Sequence, residues 1–313
     1  MTREHYFKIP AKINNYLKQI EIQDPFLFEF MDQVYMIIKD AKIPVATGQV
    51  HGCLPYISDE ESILLAAEFL GRCDESYQHQ LLKEYKEGKL QFSKTKKSSI
   101  LGSIVKGNYK IIIRKTNTII QAQDIVHEMF HCLNLNNYIM NRVFTETVSI
   151  IAELMFQDFL REKEYKEYDI SLLQQYRGLI YTDNLKYLQV MLPLFLEQKE
   201  SNKKVMNSYD NLAKKTNLSP REIKTYLTCF WNKTNHNLDT YKYTLGYILA
   251  KSFVNGSTTL ENLKEINELL HNNDIAKFQE KVIGKHKLEE LHKYVTEKDF
   301  CYHPKQYIKN NLS

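Results

Sequence analysis

The sequence predicts a mainly α-helical protein with one small antiparallel β element, and three observations carry that expectation. Only 10 glycines and 7 prolines punctuate 313 residues. Most apolar residues recur at the three-four spacing of a helix face. β-Branched residues concentrate in one stretch, "SSILGSIVKGNYKIIIRKTNT". A hydrophobic share of 43% against 26% charged excludes general disorder, and the length suits one large core or two modest ones.

In chain order, "DEESILLAAEFLGRCDESYQHQLLKEYKEGKL" carries Ile63, Leu64, Ala67 and Leu70, then Tyr77, Leu81, Leu82 and Tyr85, at helical spacing. Ser58 to Glu61 forms an N-cap region, and two helices are expected to meet near Gly71. The β-branched stretch then reads as a pair of strands around a turn at Lys106-Gly107-Asn108. "AQDIVHEMFHCLNLNNYIM" and "FTETVSIIAELMFQDFLREKEY" return to the helical period, separated by a polar link near Asn136-Asn137. "VMNSYDNLAKKTNLSPREIKTYL", "YKYTLGYILAKSF" and "TLENLKEINELLHNNDIAKFQEKV" continue as helices. No repeat or low-complexity linker divides the chain. We therefore expect a helical N-terminal segment over 1–54, a main domain over 55–290 and a tail over 291–313 packed on it, all continuous.

Charge narrows the function classes. Lysine plus arginine (42) against aspartate plus glutamate (38) leaves +4, a weak excess spread along the chain that argues for neither nucleic acid nor a membrane as partner. The N-terminus has charges throughout and no apolar core of a signal peptide, and no apolar run approaches the ~20 residues of a membrane span. The five cysteines are odd in number, widely spaced and free of CxxC pairing, so a reduced, cytoplasmic protein is expected.

Chemistry gathers at "QDIVHEMFHCLNL". His127 and His131 are four apart, so on a helix they stand one above the other and can present two imidazole nitrogens to one ion. Glu128 is turned ~100° away, too far to be a ligand and near enough to serve as a general base for a metal-activated water. Zinc needs a third protein ligand and leaves its fourth position to water, whose pKa it lowers to ~7. The next helix offers Glu146 as that ligand, with Glu153 two helical turns further on the same face. Glu153 and Ser149 then suit the role of partners that hold a ligand imidazole in its tautomer. A helix histidine is often a packed core group, but carboxylates on a face of Val148, Ile150, Ile151 and Leu154 are costly unless paired or metal-bound. Cys132 points off the ligand face and reads as packing. The strand near Tyr109 to Arg114 suits peptide binding by strand addition, with Tyr109 as a contact; a structural hairpin edge is the alternative.

"HEMFH" followed by "FTETVSIIAE" resembles the thimet oligopeptidase and oligoendopeptidase F family of zinc metallopeptidases, in which an HExxH helix precedes one reading A-E-x-A-S-x-x-x-E. The match includes Glu146, Ser149 and Glu153. It extends upstream through "SDEESILLAAEFLGRCDESYQHQLLKEYKEGKLQFSKTKKSSILGS" and "GNYKIIIRKTNTIIQAQDIVHE". Downstream, "YKYTLGYILAKSF" is similar to the family's Y-x-Y-x-x-G helix, with Tyr241, Tyr243 and Gly246. Over roughly residues 55 to 290, the resemblance implies a zincin-like helical catalytic domain, one zinc ion per chain and cleavage of short peptides in a channel lined by Tyr243 and Gly246. It also implies a tyrosine or histidine that donates to the oxyanion. Asp239 stands where the family's key tyrosine is expected, which leaves His236 and Tyr241 as candidates. The family's long N-terminal lobe has no counterpart in the fifty-odd residues before the similar region, so a single dedicated peptide substrate is a further expectation.

Two rival classes remain open. "NLAKKTNLSPREIKTYL" has the spacing of a helix-turn-helix over 211–228, with Ser219 capping a recognition helix, which would make the protein a regulator. A plain capping box of Ser219 and Glu222 explains the same residues. A relative that binds peptides without cutting them is the other, although it has no use for Glu128 as a base.

Overall fold

In a computed structural model, residues 14–39, 54–103, 108–134, 141–201, 219–225, 241–254 and 257–284 are described. The chain is mainly helical with a small three-stranded mixed sheet. Helix α1 (14–23), α2 (Pro25–Glu29) and α3 (Met31–Ile38) lead into α4 (Asp59–Cys73) and α5 (Glu75–Lys86). The strands β1 (Leu90–Ser93), β2 (Ser99–Ser103) and β3 (Asn108–Arg114) precede α6 (Ile119–Leu133) and α7 (Arg142–Glu162). After α8 (Glu167–Ser201) come a short turn of helix α9 (220–225), then α10 (Tyr241–Phe253), α11 (Leu260–His271) and α12 (Ile275–Ile283).

Local chemistry explains most of the starts and stops. Ser58 Oγ accepts the Glu61 N–H while the Glu61 carboxylate accepts the Ser58 N–H, the reciprocal capping box that opens α4. The α4–α5 junction falls at Asp74, not at Gly71: Asp74 caps α5 by accepting the Ser76 N–H, and Gly71 lies inside α4. The stretch after Thr259 forms two helices. Thr259 caps the first, Asn273 turns the chain at a φ of 58°, and Asp274 caps the second.

The β element also differs from a simple strand pair. β2 and β3 are antiparallel, with Ser103 opposite Asn108, but β1 joins the other side of β3 in parallel, giving the order β1-β3-β2. β3 is therefore the central strand, and its Ile111 and Ile112 are paired on both sides. This corrects the expectation that Tyr109 to Arg114 adds a peptide strand: β3 lies between β1 and β2, and Tyr109 is buried, donating its hydroxyl to Glu84 Oε1 at 2.8 Å.

The sheet and α4 pack on α6, α6 on α7, and α7 on α10, so the two motif helices run through one apolar core that includes Phe69, Phe130, Phe144 and Phe156. The N-terminal helices belong to the same core: Asn141 N–H donates to Gln23 O, and Gln189 Nε2 to Ile38 O, both at 2.7 Å. At α9, Ser219 Oγ accepts the Glu222 N–H and the Glu222 carboxylate accepts the Ser219 N–H, the plain capping box; the remainder of 211–228 lies outside the described residues. Among the described residues no helix is long and apolar enough to cross a membrane, and Cys73 and Cys132 are free and buried.

Candidate metal centre

α6 is buried on every side over most of its length, so its polar residues sit in the core and need partners there. His127 and His131, one helical turn apart, turn their Nε2 atoms towards each other at 3.0 Å. Glu146, on the first turns of α7, brings Oε2 to 3.3 Å from His127 Nε2 and 3.4 Å from His131 Nε2. Tetrahedral zinc with bonds of about 2.0–2.1 Å sets its donor atoms about 3.3–3.4 Å apart; the two edges from Glu146 have that length and the edge between the imidazoles is shorter. Glu146 Oε2 is buried without a hydrogen-bond partner, which a cation at the centre of the triangle would supply. Among the described residues, His127, His131 and Glu146 form the one group whose ligand atoms converge in this way.

Each of the three has its own outer partner. His127 Nδ1 lies 2.5 Å from Glu153 Oε1, so the carboxylate takes that N–H and turns Nε2 towards the centre. His131 Nδ1 is 3.3 Å from Ser149 Oγ. Glu146 Oε1 is 3.0 Å from the Lys242 ammonium, delivered by α10. Glu153 is fixed in turn by Gln123 Nε2 at 2.8 Å and Arg177 Nε at 3.1 Å, and Arg177 also bonds Asp124 on α6.

The close approach of α10 to α7 depends on Gly246. A Cβ there would fall 3.0 Å from Glu146 Cβ and 3.1 Å from the Thr147 nitrogen. Lys242 is one turn earlier on the same face, so the missing side chain at 246 is what lets the ammonium reach Glu146.

Electrostatics follow from this packing. Burial alone disfavours charge on His127, but Glu153 and Glu146 outweigh it and lift its pKa to about 10. Burial would also raise Glu146, yet Lys242 and His131 hold it well below the usual carboxylate range. Burial, aided by Lys242 and His127, lowers His131. Burial pushes the Glu128 carboxyl up to about 7, against the pull of His127, and its Oε2 is buried with no hydrogen-bond partner. That is the environment of a group poised to exchange a proton near neutral pH.

The other sequence candidates fall differently. Tyr241 is buried and commits its hydroxyl proton to Asp24, which corrects its assignment as an oxyanion donor. The Tyr243 ring lies 4.9 Å beneath the Lys242 ammonium, and Gly246 meets α7. His236 and Asp239 lie outside the described residues. Lys242, Arg177 and Asp24 escaped the sequence reading. For Lys242 a signal existed, a lysine four residues before a glycine on an otherwise apolar helix; Arg177 and Asp24 carry none. No family model, no curated protein and no solved structure matches this chain.

Proposed function

We propose that the protein is a zinc-dependent endopeptidase of the thimet oligopeptidase and oligoendopeptidase F type, acting on short peptides in the cytoplasm. The observation that carries this reading is the buried triangle of His127 Nε2, His131 Nε2 and Glu146 Oε2 beside an unpartnered Glu128 carboxylate oxygen. A zinc ion held by those three donors would supply a Lewis acid that polarises the scissile carbonyl and acidifies a water.

The protein's own residues divide the rest of the work. Glu128 accepts the proton of the attacking water on its carboxylate and delivers it to the leaving amine, a task suited to a carboxyl near 7. Glu153 and Ser149 keep the two imidazoles turned inward, and Lys242 keeps Glu146 from swinging away. With Tyr241 bound to Asp24, oxyanion donation falls to His236. The substrate backbone pairs with the outer edge of β2, which has no partner strand among the described residues.

The test is metal analysis of the purified protein with a quenched-fluorescence peptide library, with and without chelator. One zinc per chain and chelator-sensitive cleavage are expected. Glu128→Gln should keep its zinc and lose about 10²–10⁴-fold in rate; full activity in that variant would remove the assigned base, and a metal-free wild type with intact activity would sink the reading altogether.

A further inference from the structure

The near-neutral charge of the whole chain hides a local imbalance on the sheet. Residues 88–123 carry eight lysines and arginines and no aspartate or glutamate, in a chain with 42 basic and 38 acidic residues. Lys89 is answered by Glu84 and Glu87, and Lys115 by Asp59. Lys94, Lys96, Lys97, Lys110 and Arg114 are exposed and have no carboxylate partner among the described residues.

The loop that carries three of these charges is tied to the helix of the site. The loop 94–98 leaves β1, wraps the end of β3 and enters β2, one of the sheet's two edge strands. Ser98 anchors it, accepting the Arg114 N–H at 2.9 Å and donating to Asp124. Asp124 is three residues before His127 on α6, about 4.5 Å along the helix axis. The basic loop is thus fixed at one end of the β2 edge, about one helical turn from the first histidine of the triangle.

We propose that this loop and edge select acidic peptides: an extended segment pairs with β2 through its backbone while its aspartates or glutamates face Lys94, Lys96 and Lys97. Calling the bound peptide a substrate rests on the peptidase reading above. A peptide fits better than a nucleic acid because a strand edge offers amide and carbonyl partners. The sheet's two rings are inward, Tyr109 buried and Phe92 half-buried, so no base-stacking platform is presented.

Binding is measured on the full-length, zinc-loaded Glu128→Gln protein by fluorescence anisotropy. The probes are two labelled peptides of about nine residues that differ only in three glutamates, placed at either end, replaced by glutamines. The glutamate peptide should bind about ten-fold tighter at low salt, with the gap closing at about 0.5 M salt. K96E/K97E should erase the preference, and K18E/K224E, an equal charge change on exposed lysines elsewhere, should keep it. Equal binding of the two peptides overturns the proposal and leaves the lysines as a guard against edge-to-edge pairing. Tighter binding of an oligonucleotide of matched charge also overturns it, in favour of a nucleic-acid surface. Hydrolysis by the protein with Glu128 intact separates the two readings. Preference without cleavage keeps the docking surface and removes the peptidase; cleavage without preference does the reverse.

Discussion

Lys242 Nζ stands 3.0 Å from Glu146 Oε1 while Glu146 Oε2 faces the two imidazoles, so a single carboxylate is shared between a protein cation and the place of a metal. Removing the ammonium leaves the buried Glu146 charge answered only by the imidazoles until a cation arrives from solution. Lys242→Met should therefore cost the metal-free protein about 3 kcal/mol. Zinc should raise its melting temperature by more than it raises that of the wild type, since the ion then replaces the lost charge. Thermal unfolding with and without zinc measures both, and equal zinc shifts in the two proteins would contradict the shared-carboxylate arrangement.

Gly246 and Gly71 make a matched pair of tests. Gly246→Ala drives a methyl into the backbone of α7 and should destabilise by about 1–3 kcal/mol, weakening zinc binding as α10 moves off Glu146. Gly71→Ala meets only the end of the Gln78 side chain inside a helix and should be neutral or stabilising by up to about 1 kcal/mol. Denaturant melts and competition with a chromophoric chelator distinguish the two.

Glu153→Gln keeps the shape and removes the charge that holds His127 in its tautomer. Zinc affinity should fall about 10–100-fold with the helices intact by circular dichroism. An unchanged affinity would mean that the imidazole is oriented by packing alone.

Asp24 supplies the pH dependence. Burial pushes its carboxyl up to about 6 from an ordinary 3.8, against the hydrogen bonds from Tyr241 and Val143. A raised carboxyl binds its proton more tightly in the folded state, so its contribution is favourable at acid pH and is lost as pH rises from about 4 through about 6. The stability of the wild type relative to Asp24→Asn should fall by about 3 kcal/mol across that window and stay level above it. Urea melts of both proteins at pH 4.5 and 7.5 check the sign.

The motif helix was legible because its chemistry is local: two histidines four apart share a face wherever a helix forms. Glu146 was legible because an acidic residue on an apolar face asks for a partner. What stayed hidden is the set of contacts between distant stretches. Nothing near Arg177 announces Glu153, and nothing near Asp24 announces Tyr241. β1 was missed because four residues, "LQFS", are too few to show a period and its partner strand lies about twenty residues on. The breaks at Asp74 and Asp274 were readable as N-caps; Gly71 drew attention instead because glycine is a helix breaker in isolation, a cost that tertiary packing absorbs in α4.

Asp24 bears on how the chain can be divided. The first residue of α7 is preceded by Asn141 at a φ of 58°, whose side chain caps nothing; the carboxylate that accepts the Val143 N–H at 2.8 Å comes from Asp24, 119 residues earlier. The same carboxylate takes the Tyr241 hydroxyl, so one side chain near the N-terminus staples the start of the Glu146 helix to the start of the Lys242 helix. A chain shortened to begin at residue 55, the boundary that patterning suggests, would start both helices with unsatisfied buried groups. The leading helices are therefore a structural member of the domain that carries the metal triangle, and tags, fusions and truncations belong ahead of α1 rather than between α3 and α4.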